Sequence, residues 1–175
     1  MKLYLPSDDS ILLSLSVSSY AGESALEIGV GSGIILKALH ESFKIVVGTD
    51  IDRVSLKHCK DKLPNDIFLV CCDAASPFHY KFDLIVSNPP YLPMEDNEKK
   101  DPAIHGDYNG IETTLNFIKS ATSVLAEQGK MLIVVSSLSN NAKIDELIAR
   151  MKLKRRVISE KKLFFEKLAI IELGY

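Results

Sequence analysis

One stretch, Glu27-Ile28-Gly29-Val30-Gly31-Ser32-Gly33, limits what this chain can become more than any other. It joins a short strand expected over 25–28 to a segment that reads as a helix over 33–41. Glycines in a strand-to-helix turn let the backbone bend sharply and approach a ligand closely. The spacing is GxGxG, not the GxGxxG of dinucleotide sites. Glu27, two residues before the first glycine, would repel a pyrophosphate. Its charge suits a cation instead, such as a sulfonium ligand that also carries an amino group.

Around this turn, strands and helices alternate, which predicts a parallel sheet with helices on both faces. Helices are expected over 8–19, with Ser7 as N-cap and acids in the first turn, and over 33–41, 53–62, 111–126 and 141–152. Gly129 is read as the end of the fourth helix. Strands are expected over 25–28, 44–49, 67–71, 82–87, 130–136, 154–160 and 167–173. The last two are close in sequence and should pair antiparallel. The expected fold class is therefore α/β, a doubly wound seven-stranded sheet with its final strand reversed. A length of 175 residues suits one domain over 1–175. The pattern resembles the class I S-adenosylmethionine-dependent methyltransferase fold, which is Rossmann-like and has strand order 3-2-1-4-5-7-6.

Composition narrows the function. The net charge is −2, whereas a protein that grips nucleic acid alone usually carries a basic surplus. Lys152, Lys154, Arg155, Arg156, Lys161 and Lys162 do cluster, and are read as a solvated face, with a local patch for an anionic partner as the alternative. Cys59, Cys71 and Cys72 lack metal-clip spacing, and their odd number argues against a disulfide framework. They are expected to be small core residues in a reducing cytoplasm. The four histidines are scattered, so no metal site is expected. No apolar run is long enough for a membrane span, and no secretory signal is read.

Two further acids stand where the sheet would bring them to the glycine turn. Asp50 ends the second strand, where a carboxylate can accept both hydrogen bonds from ribose hydroxyls. Asp73 follows the third strand and could accept from an exocyclic adenine amine, with Ile51 as an apolar surface for the ring. The fourth strand ends in Ser87-Asn88-Pro89-Pro90-Tyr91. An amide nitrogen is a poor nucleophile because its lone pair is delocalised. It needs two acceptors for its N–H groups, which then aim the lone pair. Asn88 offers a side-chain carbonyl and Pro89 a backbone one. Pro90 restricts Pro89 to extended geometry, and Tyr91 offers a flat face for a planar group. No strong base is needed, since catalysis would rest on positioning and charge stabilisation.

Asn88 to Tyr91 match the NPPY motif shared by methyltransferases of amides and exocyclic amines. More narrowly, the chain resembles the archaeal and eukaryotic family that methylates the GGQ glutamine of class I translation termination (release) factors. Tyr4-Leu5-Pro6-Ser7-Asp8-Asp9-Ser10 is similar to that family's Y-x-P-x-E-D-T opening, and Asn88 to Pro93 to its NPPYVP. Gly106-Asp107-Tyr108-Asn109-Gly110 resembles its GG-x-x-G, with Asp107 in place of the second glycine. Lys161 to Leu168 resembles the KKxFFExL stretch of archaeal members. The resemblance implies S-adenosyl-L-methionine as cofactor, touched by Ser10, Glu27, Gly29, Asp50, Asp73, Ala74 and Asn88, with Gly31 in the same turn. It implies that Asn88, Pro89 and Tyr91 hold the glutamine amide. It also implies a partner, since some relatives work with a small zinc-binding activator. The third strand, at a sheet edge and without charge or proline over 67–72, is the expected docking line. Competing readings are a DNA or RNA amine methyltransferase, a protein-lysine methyltransferase and a non-catalytic S-adenosylmethionine-binding module. The slight acidity and the lack of room for a target-recognition domain count against the first. The amide pocket makes the second less natural, and the intact NPPY motif counts against the third.

Overall fold

The structure is a computed structural model and describes residues 6–91 and 111–175. Along the chain these residues form α1 (Asp8–Val17), β1 (Gly22–Ile28), α2 (Ile34–His40), β2 (Phe43–Asp50), α3 (Arg53–Lys62) and β3 (Phe68–Cys71). There follow β4 (Phe82–Ser87), α4 (Glu112–Ser123), β5 (Leu125–Ser136), α5 (Asn141–Arg150), β6 (Lys154–Lys162) and β7 (Lys167–Gly174). The strands make one sheet in the order β3-β2-β1-β4-β5-β7-β6. Pairs from β3 through β5 are parallel, and β7 runs antiparallel to both β5 and β6. This is the expected doubly wound, class I methyltransferase-like sheet.

Alternating side chains on the central strands divide the core into two layers, as the period of a strand requires. Leu26, Ile28, Ile85 and Ile133 pack with Ile118 and Ala121 of α4 and Ile144 and Leu147 of α5. Ala25, Leu84, Val86, Leu132 and Val134 pack on the other face with Leu13 and Val17 of α1, Leu36 and Leu39 of α2 and Cys59 of α3. Central strands covered on both faces read as apolar runs, which is why 82–87 and 130–136 are recognisable in the sequence.

Several expectations are corrected. Ser7 holds the N-cap position of α1, but its hydroxyl donates to Asp9 Oδ1 at 2.7 Å and makes no side-chain cap bond. Gly129 ends no helix. α4 stops at Ser123, and β5 starts at Leu125 rather than at residue 130. Phe82 pairs with Leu125 and then Leu84 with Lys130, so β5 is irregular between these points. A Cβ on Gly129 would lie 2.8 Å from the Phe82 carbonyl oxygen, so close backbone approach explains the glycine. The apolar residues Val124, Leu125 and Ala126 prolong the helical pattern, and periodicity alone does not separate a buried strand from a helix there. Of the cysteines only Cys59 is a core residue, since Cys71 is exposed and Cys72 half-buried. Half of the basic cluster is neutralised in place, by Arg155 with Asp145, Arg156 with Glu172 and Lys161 with Asp8. Among the described residues no helix is long and apolar enough to cross a membrane.

Candidate active site

The sheet order reverses direction at β1 and β4, and the crevice beyond the carboxyl ends of such strands is where ligands bind in open α/β sheets. Ile28 pairs with Ser87 at these two strand ends, and Ser87 Oγ donates to the Ile28 carbonyl at 2.9 Å. The glycine turn and the Asn88-Pro89-Pro90-Tyr91 segment therefore leave the sheet side by side. Residues 92–93 and 106–110, which complete two of the motifs read in the sequence, lie outside the described residues, as do Tyr4 and Leu5.

The turn is built by glycine conformation. Gly29, Gly31 and Gly33 have φ of 81°, 46° and 80°. At Gly33 a Cβ would also meet Cys59 Sγ and Leu63 Cδ1, each at 2.9 Å, so both backbone and space demand glycine there. The Gly29 and Val30 N–H groups donate to the Thr49 carbonyl at 2.8 and 3.1 Å, which ties the turn to β2. Asp50, next along β2, is engaged from two sides. Its Oδ2 accepts from Gly31 N at 3.3 Å and its Oδ1 from Asp52 N at 2.8 Å. The expectation that both of its oxygens stand ready for a ligand is thus modified, because each already has one backbone donor. A carboxylate oxygen has a second lone pair, so each can still accept. Burial pushes the Asp50 carboxyl up, opposed by these backbone bonds.

Glu27 is buried, and its Oε2 has no hydrogen-bond partner among the described residues. Loss of solvent, with the nearby Asp50 charge adding to it, holds its carboxyl well above the usual 4.5. Cys59 reports the same local field, since burial and then the charges of Glu27 and Asp50 push its thiol up to about 12. Asn88 presents a second orphan, a buried Oδ1 with no hydrogen-bond partner among the described residues. An unpaired buried oxygen costs roughly 1–3 kcal/mol, so a fold that keeps two at one crevice is arranged for donors from outside. Ile51 is 65% exposed beside Asp50, as a platform for a flat ring must be. Ala74 has a positive φ of 48°, while Asp73 is exposed.

The remaining wall is held by long-range bonds. Pro89 is buried and Tyr91 half-buried. The Tyr91 hydroxyl donates to Asp9 Oδ2 at 3.0 Å, and Ser139 Oγ donates to the Tyr91 carbonyl at 3.0 Å. Asp9 Oδ1 accepts from Ser7 Oγ, Ser10 N and Ser10 Oγ. Ser10 is therefore brought near the crevice, but its hydroxyl hydrogen is directed at Asp9. Sequence reasoning did not assign a role to Asp9, to Ser139 or to Phe117 of α4, whose ring edge lies 3.7 Å from where a Gly29 Cβ would be. Asp9 had one signal, its place in the Tyr4 to Ser10 stretch that resembles the family's opening, but beside Asp8 it reads as an ordinary acid of a helix's first turn. The other two are an ordinary serine and an ordinary helix phenylalanine.

A buried carboxyl that takes a backbone bond at Leu36 but leaves Oε2 unpartnered among the described residues, an acid at the end of the neighbouring strand and an orphan amide carbonyl fit a cationic nucleoside ligand and a planar N–H donor. Comparison with known proteins bears on the family and the fold. The family described as methyltransferase small domain matches residues 8–164. A protein of Methanocaldococcus jannaschii, itself only provisionally assigned as a protein N5-glutamine methyltransferase, is 33% identical over 97% of this chain and 90% of its own length. The release factor glutamine methyltransferase of Streptococcus pneumoniae is 31% identical over 64% of this chain, but the match spans 45% of that enzyme. In fold, the chain superposes on a chain of the Encephalitozoon cuniculi Mtq2–Trm112 complex, responsible for methylating the termination factor eRF1, with a TM-score of 0.77, 24% identity and 99% of each chain covered.

Proposed function

The chain belongs to the methyltransferase small domain family, and from that premise we propose that it methylates the side-chain amide nitrogen of a glutamine, in the GGQ motif of a class I translation termination factor. The observation that carries this reading is the buried, unpartnered Oδ1 of Asn88 at the head of the Asn88-Pro89-Pro90-Tyr91 segment. The proposed cofactor, S-adenosyl-L-methionine, supplies an electrophilic methyl group when bound. Glu27, Asp50, Asp73, Ser10, Ala74 and the turn at Gly29 and Gly31 would hold it, with Ile51 against its adenine. The fit rests on the orphan Glu27 oxygen, which answers a cationic amino group, and on the open glycine turn.

The substrate amide donates one N–H to Asn88 Oδ1 and the other to the Pro89 carbonyl. Both bonds strengthen as positive charge develops on the nitrogen, so they stabilise the transition state more than the ground state. Tyr91 supports the amide plane. A purified sample should methylate the termination factor and lose that activity when the target glutamine is changed to alanine. Parallel assays on DNA and RNA test the rival amine substrates. Methylation of a nucleic acid alone would overturn the glutamine assignment.

We also propose that a small, zinc-binding activator protein adds to the β3 edge. The edge is open: Phe68 is 59% exposed, and Phe68–Cys71 carries no charge. The opposite edge, β6, is studded with Lys154, Arg155, Arg156, Lys161 and Lys162. Charge protects an edge against strand addition, and its lack invites it. Phe68→Lys should abolish co-purification with the activator while leaving the fold intact. Retained association would remove the edge from consideration.

A further inference from the structure

The β6–β7 hairpin ends in Leu163-Phe164-Phe165-Glu166, closed by the Leu163 N–H donating to the Glu166 carbonyl at 2.8 Å. Phe164 is 92% exposed and Phe165 84%, the two most exposed large apolar side chains among the described residues. Their rings meet edge to face with centroids 4.6 Å apart. Scattered surface leucines need no explanation, but two adjacent phenylalanines raised on a hairpin tip do.

The tip is fastened on both flanks to the substrate wall. On one flank Ser136 Oγ donates to Glu166 Oε2 at 2.6 Å, and Ser139, three residues on, donates to the Tyr91 carbonyl. On the other, Lys161 Nζ contacts Asp8 Oδ1 at 2.8 Å, and the adjoining Asp9 receives the Tyr91 hydroxyl. Lys161 and Lys167 are neutralised by Asp8 and Glu160. Lys162 is exposed and enters no ion pair among the described residues. What the tip offers outward is therefore two aromatic rings and one cation, beside the pocket for the amide.

We propose that Phe164, Phe165 and Lys162 form a docking surface for the polypeptide that carries the target glutamine, gripping an apolar side chain flanked by an acid outside the reacting loop. Aromatic anchors with a neighbouring cation are the usual high-energy contacts of protein interfaces. This rests on the protein-amide reading above. A small amide enters the pocket without touching the tip, whereas a folded protein substrate must lie across it.

The test compares the wild-type chain with the double variant Phe164→Ala, Phe165→Ala. Both side chains are exposed, so the variant should fold, which circular dichroism and unchanged S-adenosylmethionine affinity check. Steady-state kinetics are read on the intact termination factor and on a short peptide containing its glutamine loop. The expected result is a KM for the intact factor raised about tenfold or more at unchanged kcat, with the peptide KM unmoved. An unchanged KM for the factor overturns the inference, as does an equal loss on factor and peptide, which would make the tip a structural element. A concentration-dependent dimer, or binding to phosphatidylserine vesicles, that the variant loses while its KM stays constant assigns the tip to another occupant and also overturns it. A wild-type chain that fails to methylate the factor overturns the functional reading and this inference together, and is recognised by the activity of the wild type itself.

Discussion

The two walls of the crevice are built differently. The wall at β1 and β2 is local. Three positive-φ glycines make the turn, Asp50 takes a bond from Gly31, 19 residues away, and another from Asp52, two residues away. The wall after β4 is assembled from distant parts. Tyr91 is bonded to Asp9 across 82 residues and to Ser139 across 48. Each wall nonetheless keeps one buried oxygen without a hydrogen-bond partner among the described residues, on Glu27 and on Asn88. A local wall is set by backbone geometry and tolerates little change in its glycines. A distant wall is set by side-chain bonds and should lose its alignment in graded steps. The first suits a ligand of fixed shape, the second a substrate that must be aimed.

The largest effect is expected where aiming meets chemistry. Asn88→Ala removes an acceptor whose value grows as charge builds on the nitrogen, so kcat should fall by about 100-fold or more. Affinity for S-adenosylmethionine should change much less, which calorimetry can read alongside turnover. An equal fall in both would move Asn88 from the aiming wall to the cofactor wall. Asp50→Ala tests the opposite pattern. Bonds to a charged acceptor are worth about 1.5–3 kcal/mol each, so losing even one of the two ribose bonds should raise the cofactor Kd by roughly 10- to 100-fold, and losing both by more. Part of that loss comes from freeing the Gly31 N–H, and Asp50→Asn, which keeps one acceptor, should recover some of it. Unchanged affinity in a folded Asp50→Ala protein would refute the ribose role.

The same contrast explains what could be read without a structure. The strands are legible as apolar runs separated by turn residues, because strands buried on both faces leave such runs, and the antiparallel β6–β7 pair follows from its short connection, whereas the strand order came only with the resemblance to the class I methyltransferase fold. The glycine turn and Asp50 are legible because their chemistry depends on neighbours in sequence. Gly129 was misread, since a glycine beyond a helix and a glycine under a neighbouring carbonyl look alike in one dimension. Asp9 and Ser139 were missed because their meaning arises only when α1 and the end of β5 are brought to Tyr91. Ser10 was placed near the crevice through resemblance, while the direction of its hydroxyl depends on Asp9.

A smaller effect should separate aiming from support. Tyr91→Phe removes the hydroxyl that Asp9 holds but keeps the ring. One such bond is worth about 1 kcal/mol, so kcat should fall by about fivefold with cofactor affinity unchanged. Asp9→Asn should give a similar fall, and the double variant should be no worse than either alone, because the two act through one bond. Strict additivity in that cycle would show that Asp9 acts elsewhere.

The smallest effect is thermal and falls on Glu27. Its carboxyl is held above the usual 4.5 by burial, with the Asp50 charge as a secondary cause. The folded chain therefore binds the proton more tightly than the unfolded one, and stability contributed by protonated Glu27 is full below about pH 4.5. It is lost as pH rises through the raised folded value. Glu27→Gln cannot ionise, so the variant's Tm should gain on the wild type across that window, with little difference in acid. A higher Tm for the variant than for the wild type is therefore expected near neutral pH in the absence of cofactor. Saturating S-adenosylmethionine should shrink or reverse the gain, because a bound cation favours the carboxylate that the variant lacks. Melting curves of both proteins from pH 4 to 8, with and without cofactor, decide it. A Tm difference that ignores pH would mean that the buried carboxyl costs the fold nothing, and a difference that ignores the cofactor would mean that Glu27 does not face the ligand's cation.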